Sequence, residues 1–321
     1  MIKNKWYAVL DSRELRKNKP IGVLRFGEKL VFWRDKDGGV VCLEDKCAHR
    51  GAALSIGKIV DDKVQCPFHG FEYDREGKCR FIPANGQCCD VPPRYKVRVY
   101  EAREVHGFVW VWYGETREEY PEIPFFEEVE GFVYSSFKDY WPVHYSRAIE
   151  NQLDLVHLPF VHYNTIGRGG MTLVEGPKIH RDGDVLSVWI YNRKDDGSVP
   201  RKPEELPEPA GMPIVKFHFP NIWRLAPFSR LRIFIAFVPV DEENAVLYMR
   251  VYQNISRLPL IKQLVGAVMM RFSKKILFQD KHVVVTQEPK KSFYKMGENL
   301  IQGDLPIVEY RKYRQTLIDG E

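Results

Sequence analysis

Two short cysteine–histidine loops constrain this chain more than anything else in it. Cys47-Ala48-His49-Arg50-Gly51 is followed, with sixteen residues between His49 and Cys66, by Cys66-Pro67-Phe68-His69-Gly70. Runs rich in Val, Phe and Trp lie around them, at 29–33, 40–43, 63–65 and 108–112. Asp37-Gly38-Gly39 marks a hairpin, and Asp61-Asp62 and Glu76-Gly77 punctuate later ones. Short strands separated by such turns predict small antiparallel sheets. Two loops projecting from them can hold two thiols and two imidazoles around one centre. Thiolate and imidazole suit both iron and zinc. A structural zinc ion takes the same donors, although its loops usually place two to four residues between ligands rather than the one between Cys47 and His49. That spacing favours a cluster without deciding the matter. The remaining cysteines fall outside the pattern. Cys42 is expected to pack in a strand. Cys79 matches no ligand position. Adjacent Cys88 and Cys89 could form only a strained vicinal disulfide and read as free thiols.

The rest of the composition narrows the class. A chain of 321 residues predicts about two domains. The acidic stretch GETREEYPEIPFFEEVE at 114–130, with Pro121 and Pro124, marks the junction, so the expected domains are 1–116 and 117–321. Forty-eight basic against 43 acidic residues leave a net charge of +5, too weak and too evenly spread to argue for nucleic acid. No apolar run approaches the ~18–20 residues of a membrane span. The opening MIKNKWYAVL lacks the apolar core of a secretory signal. A cytoplasmic protein with no membrane partner is expected, and six cysteines do not make a disulfide scaffold.

Beyond the junction, 140–162 reads as helix up to Pro159, and 173–253 as a larger antiparallel sheet interrupted by a proline-rich loop at 199–213. Leu231 to Val240 reads as a buried strand despite Arg232. Residues 258–285 read as one long helix, in which Ile261, Val265, Val268, Phe272, Ile276 and Val283 recur at steps of three and four and predict one buried stripe. Asp280 lies on that stripe. A buried acid needs a partner, either a backbone amide near the helix end or a cation. In ENQLDLVHLPFVH, Glu150–His162, the residues Asn151, Asp154 and His157 are three apart and share a helix face. A break or bend at Pro159 would let His162 return to the same centre. These histidines could simply cap a helix end. Alternatively, His157 and His162 with one carboxylate could hold Fe(II) and leave open positions for O2 and a substrate. Asp280 is the natural third ligand, because His282 points about 200° away round the helix.

At these residues the chain resembles a known family. C-x-H, sixteen residues, then C-x-x-H is similar to the binding pattern of a Rieske [2Fe-2S] cluster. GFVWVWYG at Gly107–Gly114, N-x-x-D-x-x-H-x-P-F-V-H at Asn151–His162 and F-Q-D at Phe278–Asp280 extend the resemblance over nearly the whole chain, to the Rieske non-haem iron oxygenases. The resemblance implies an α+β protein, a β-rich cluster domain followed by a catalytic domain of helix-grip type, an antiparallel sheet around a long C-terminal helix. It implies that Cys47 and Cys66 bind one cluster iron and His49 and His69 the other. Exchange of two thiolates for imidazoles raises the potential into about −150 to +300 mV. It further implies a mononuclear Fe(II) on His157, His162 and Asp280. Asp154 would bridge His157 to His69 of the partner subunit in a head-to-tail homotrimer. Asn151 would lie near the iron, too far to ligate.

The implied reaction is R–H + O2 + two electrons + two protons giving R–OH + water, on a small organic, aromatic substrate, as in aromatic hydrocarbon catabolism. A methoxy or N-methyl carbon so hydroxylated collapses to formaldehyde. The compact length and the Asn151–Asp154 pattern look more like the monooxygenases and O-demethylases than the alternative, a cis-dihydroxylating dioxygenase. A Rieske electron carrier or a zinc-stabilised binding protein is the reading from another class, but a carrier needs about one small domain, not the ~200 residues after Gly114. No G-x-G-x-x-G follows a strand, and Gly167-Arg168-Gly169-Gly170 lies in a loop, so a separate NAD(P)H-dependent flavin reductase, with or without a ferredoxin, is implied. Arg50, Lys58 and Arg94 could dock it, or could be ordinary surface charges. Candidates for the substrate pocket are Phe217, Phe219, Trp223, Val265, Val268, Met269 and Phe272, with Asn221 and His218 as polar members. Plain core packing and strand hydrogen bonds compete for all of them.

Overall fold

The computed structural model describes residues 1–126, 129–256 and 258–320. The chain divides into two compact units, Lys3–Ile123, and Pro124–Glu321 together with Met1–Ile2.

The first unit runs β1 (Lys5–Asp11), β2 (Ile21–Arg25), β3 (Glu28–Arg34), β4 (Val40–Glu44), β5 (Lys58–Val60), β6 (Lys63–Gln65), β7 (Glu72–Tyr73), β8 (Cys79–Phe81), β9 (Val99–Tyr100), β10 (Ala102–Val105) and β11 (Phe108–Tyr113). They form three antiparallel sheets of order β1-β11-β10, β2-β3-β4-β9 and β5-β6-β7-β8. The turns follow the sequence signals. Asp35 Oδ1 accepts the amides of Asp37 and Gly39 at 3.1 and 2.6 Å and so closes the β3–β4 hairpin. Asp61 and Asp62 both take left-handed backbone (φ 44° and 69°), the two-residue turn that matches strand twist between β5 and β6. Val31 and Trp33 of β3 and Val41 and Leu43 of β4 point inward and share one core with Leu54, Val64, Phe71 and Tyr73. Both loop cysteines, Cys47 and Cys66, belong to that core at 2% exposure.

The second unit contains β12 (Val133–Trp141), α1 (Tyr145–Leu153), α2 (Leu158–Val161), β13 (Leu173–Asp182), β14 (Val185–Arg193), β15 (Val215–His218), β16 (Ile222–Phe228), β17 (Leu231–Pro239), β18 (Ala245–Gln253), α3 (Pro259–Val284) and α4 (Leu305–Asp319). One antiparallel sheet of order β12-β18-β17-β16-β15-β14-β13 forms its floor, and α3 lies against β12 and β18. Alternate residues of the central strands face the helices. Trp223 pairs with Ile235 and Ile235 with Met249, so one inward row crosses three strands. Arg232 is accommodated in β17 because its guanidinium donates to the carbonyls of Phe228 and Leu231 at 2.7 and 2.8 Å. The α1 helix is tied to α4 by a buried ion pair, Glu150 with Arg311, through two 2.8 Å contacts.

Three details differ from the sequence expectation. Strand β12 takes in the first two residues of the expected helix, which begins only at Tyr145, and its half-exposed, polar VYSSFKDYW gave no clear apolar signal. The helix carrying Asn151 ends at Leu153, before Asp154, rather than at Pro159. The long helix is present, but its buried stripe is Gly266, Met270, Ser273, Leu277, Asp280 and Val284. Ile261, Val268, Phe272 and Val283 are instead 43–61% exposed. Apolar residues stand on more than one face of this helix, so period alone could not choose the facing side. Small residues choose it: a Cβ at Gly266 would stand 2.9 Å from Ser135 Oγ on β12, so the helix approaches the sheet there.

Candidate active site

The two cluster loops are built alike despite their different spacing. In each, the cysteine carbonyl accepts the amide of the glycine four residues on, Gly51 at 2.9 Å and Gly70 at 3.0 Å. Each cysteine amide donates to the carbonyl five residues on, Ala52 at 2.8 Å and Phe71 at 2.7 Å. Both glycines sit at positive φ (74° and 73°), where a side chain would be strained. The turns bury the thiols and leave both imidazoles exposed, with ring centroids 4.7 Å apart. His49 stacks flat on Phe71 at 4.7 Å. Tyr73 adds a contact that sequence reasoning missed. Its hydroxyl accepts the Ala48 amide at 3.1 Å and lies 3.2 Å from Cys47 Sγ, to which it can donate when that sulfur is a thiolate. Hydrogen bonds to cluster sulfur are one determinant of potential.

The donor set fits a cluster better than a single ion. Bonds of 2.0–2.3 Å around one tetrahedral ion bring all four ligand atoms within about 4 Å of one another. Among the described residues, no three of Cys47, His49, Cys66 and His69 have ligand atoms converging within 4.8 Å. Burial also pushes the Cys66 thiol up, so its thiolate form calls for a positive centre beside it.

The second donor set is assembled by the helix break. Asp154 takes extended backbone (φ −74°, ψ 125°) while its amide still bonds to Glu150 O at 2.9 Å. Its Oδ1 accepts the amides of Val156 and His157 at 2.7 and 3.2 Å, which competes with helix continuation. Pro159 then lies in the first turn of α2, where a missing N–H costs nothing. Hence Asn151, Asp154 and His157 do not share one helix face; the helix breaks, as one of the two expected forms, but after Leu153 rather than at Pro159, and the separate α2 brings His162 round. His157 Nε2 and His162 Nε2 are 3.3 Å apart, and Asp280 Oδ1 stands 3.4 and 3.0 Å from them. These three form the one convergent group of His, Cys, Asp or Glu among the described residues. Bonds of about 2.1 Å to one ion put neighbouring ligands roughly 3.0–3.4 Å apart, so the triangle fits a single cation. His282 is exposed on another face.

Electrostatics agree. Burial works to raise Asp280, yet its bonds to His157 and His162 hold it below the usual carboxylate range. Asp154 is likewise held low against burial by His157 and by the amides it accepts. Burial disfavours a charged His157, but Asp154 and Asp280 carry it up to about 9. His157 Nδ1 lies 3.7 Å from Asp154 Oδ2, charge-pair range rather than a hydrogen bond. Two anionic carboxylates around two imidazoles mark a place that a dication neutralises.

Residues not singled out by sequence complete the surroundings. Gln152 Nε2 donates to Asp280 Oδ2 at 3.2 Å, beside the weaker 3.4 Å contact of Asn151 Nδ2 with Oδ1. Gln279 Oε1 meets His162 Nδ1 at 3.1 Å and accepts the Thr165 hydroxyl at 2.9 Å. The only available signals were adjacency to Asn151 and a place inside F-Q-D.

An apolar cavity of about 550 Å3 opens on the triangle. Of the candidates, Trp223, Val268, Met269 and Phe272 line it. Val265, Phe217, Phe219, Asn221 and His218 do not. Phe217 and Phe219 pack on Tyr310 with ring centroids 5.5 Å away. Asn221 donates to Phe237 O at 3.2 Å, and His218 Nδ1 meets Phe219 O at 2.8 Å, so both serve the sheet. Near the cluster loops, Arg50 and Arg94 share a groove with His49, Lys46 and Lys96; Lys58 is not among its residues.

Carrying both donor sets in one chain defines a Rieske-type protein with a second, mononuclear iron site. The Rieske [2Fe-2S] domain family matches residues 5–101, and the vanillate O-demethylase oxygenase C-terminal domain family matches residues 141–320. The chain therefore belongs to the Rieske oxygenases that carry this C-terminal domain, a family of oxidoreductases. It is 38% identical over 191 residues to chlorophyllide a oxygenase of Chlamydomonas reinhardtii, covering 59% of this chain and 28% of that protein. It is 36% identical over 193 residues to the vanillate O-demethylase oxygenase subunit of a Pseudomonas species, covering 59% and 52%. The chain thus spans under a third of the first chloroplast relatives and about half of the bacterial one. In fold it is similar to NdmA of Pseudomonas putida CBB5 (TM-score 0.78, 22% identity, 98% of this chain and 90% of that one). Dicamba monooxygenase is similar too (TM-score 0.78, 19% identity, 99% and 98%). Among the described residues no helix is long and apolar enough to cross a membrane.

Proposed function

We propose that this chain is the oxygenase component of a multicomponent system that hydroxylates or oxidatively demethylates a small organic substrate. The observation that carries this reading is the His157–His162–Asp280 triangle facing an apolar cavity. Cys47, Cys66, His49 and His69 would hold the [2Fe-2S] cluster, and the triangle would hold iron. Bound there, the iron supplies the open positions and oxidising power for O2. The chain's own side chains do the rest. The cavity walls exclude water and hold the reacting C–H bond in place. Gln279 holds the His162 proton at Nδ1 and so frees Nε2. Asp154, 3.7 Å from His157 Nδ1, favours a proton on that nitrogen by its charge, and Gln152 and Asn151 orient Asp280.

Electrons would come from a separate NAD(P)H-dependent flavin reductase, with or without a ferredoxin. The basic groove of Lys46, Arg50, Arg94 and Lys96 beside His49 supports docking there. In a homotrimer, Asp154 would link His157 to His69 of the partner subunit. Support comes from the 27% exposure of the Asp154 side chain and from the exposed imidazole of His69 in this chain. Six unpaired cysteines support a reducing compartment, the cytoplasm. The test is reductase-coupled O2 uptake by the iron-loaded protein against methoxyarenes, N-methyl compounds and arenes. Formaldehyde or a mono-ol is the expected product. A dihydrodiol would reassign the chain to the dioxygenases, and the absence of substrate-dependent uptake across the panel would overturn the reading.

A further inference from the structure

The cavity facing the triangle has a composition that selects its ligand. Apart from the corner formed by Asn151, Gln152, Asp154 and the three metal-site residues, the one polar side chain lining it is Ser273. Among the described residues that line it there is no Arg or Lys. Away from the metal corner, a carboxylate entering such a space would shed its hydration and find no Arg or Lys to pair with, and burying an unpaired anion costs so much that the group neutralises instead. An ammonium ion fares no better, because the carboxylates of Asp154 and Asp280 are spent on the imidazoles and on the cation the triangle fits.

Size points the same way. The volume, about 550 Å3, is more than three times the ~150 Å3 that suffices for a dry site holding benzene. The apolar surface continues outward. Ile166, Phe228, Val268 and Phe272 line the cavity and are 47–61% exposed, so an apolar molecule meets greasy surface before it meets the pocket. Ser273 lies seven residues before Asp280 on the buried stripe of α3, roughly 10 Å along the axis at 1.5 Å per residue.

We infer that the substrate is an uncharged, largely apolar molecule larger than a single aromatic ring, oxidised at one end and free to place one hydrogen-bonding group near Ser273. This rests on the oxygenase reading for the word substrate, but its test does not use turnover. The iron-loaded protein, kept anaerobic, is titrated by calorimetry at pH 7.5 with matched pairs of one, two and three rings. Each pair shares a skeleton and differs only as methyl ester and free acid, methoxynaphthoate being the two-ring case. The expected result is at least tenfold tighter binding of the ester among the two- and three-ring pairs, with the negative heat-capacity change of apolar burial. Equal or tighter binding of the acids, binding confined to the single-ring compounds, or no binding by any ester overturns the inference. Val268→Lys, which adds a charge at the exposed rim where it can be tolerated, is expected to narrow the ester preference several-fold. An unchanged preference would show that ligands do not pass or occupy this cavity, and would also overturn the inference. Ester preference in a protein that consumes no O2 would leave this inference standing and defeat the oxygenase reading. Acid preference with substrate-dependent O2 uptake would do the reverse.

Discussion

Replacing Gln279 by leucine tests the support of the metal triangle. Gln279 Nε2 donates to Asn164 Oδ1 at 2.8 Å, which leaves Oε1 as the atom facing His162 Nδ1 at 3.1 Å. That acceptor fixes the proton on Nδ1 and leaves the Nε2 lone pair for a metal. His162 is 1% exposed, so water cannot readily take over the lost bond. An unsatisfied buried donor costs about 1–3 kcal/mol. Loss of the partner behind a ligating histidine lowers metal affinity by about 10–100-fold. Gln279→Leu is therefore expected to weaken iron binding at the mononuclear site by about 10–100-fold. The assay is anaerobic competition with a ferrous chelator, with cluster absorbance as an internal check that the other donor set is intact. Gln279→Glu keeps an acceptor in place and should stay near wild type. Iron retention by the leucine variant within twofold of wild type would refute the argument.

Other perturbations separate further parts of the account. Asp154→Asn preserves an acceptor for the Val156 and His157 amides but removes the charge. It should leave cluster and iron contents unchanged while reducing turnover by about 10–100-fold, read as product formed per iron. Arg311→Met leaves Glu150 buried with only the 3.3 Å contact to Arg147 and the unfavourable Glu298 nearby, so chemical denaturation should show a loss of about 3 kcal/mol. The double variant with Glu150→Gln should lose less. Burial holds His144 at about 2, far below its unfolded value of about 6.5. Above 6.5 it is neutral in both states. Below that, the unfolded chain takes up a proton that the native one refuses, so stability falls as pH falls, by up to about 1.4 kcal/mol per unit. His144→Asn, which can still cap α1, should flatten the decline in denaturation midpoint between pH 6.5 and 5.5; an unchanged slope would exclude this origin.

Much of this was legible from residue order because the chemistry is local. Each Cys–His loop is closed by its own glycine, and the hairpins are set by Asp and Gly at the turns. Asp280 stood out because an acid within an apolar helix demands a partner. Features that depend on distant packing were not legible. The facing side of α3 is decided by how closely Gly266 meets Ser135, 131 residues away. The break after Leu153 arises from an aspartate side chain capturing amides, which the three-residue spacing conceals. Phe217, Phe219 and Trp223 look equivalent along the chain, but the row crossing β16, β17 and β18 puts only Trp223 against the cavity. Gln279 and Tyr73 act through partners that no local pattern names.

Metal and sulfide analysis of anaerobically reconstituted protein tests the central claim most directly. Two cluster irons and one mononuclear iron predict about three irons and two acid-labile sulfides per chain, with a chelator removing one iron and leaving the cluster absorbance intact. One zinc per chain with no labile sulfide, bound in a form lost on substitution of Cys47 or Cys66, would contradict the account.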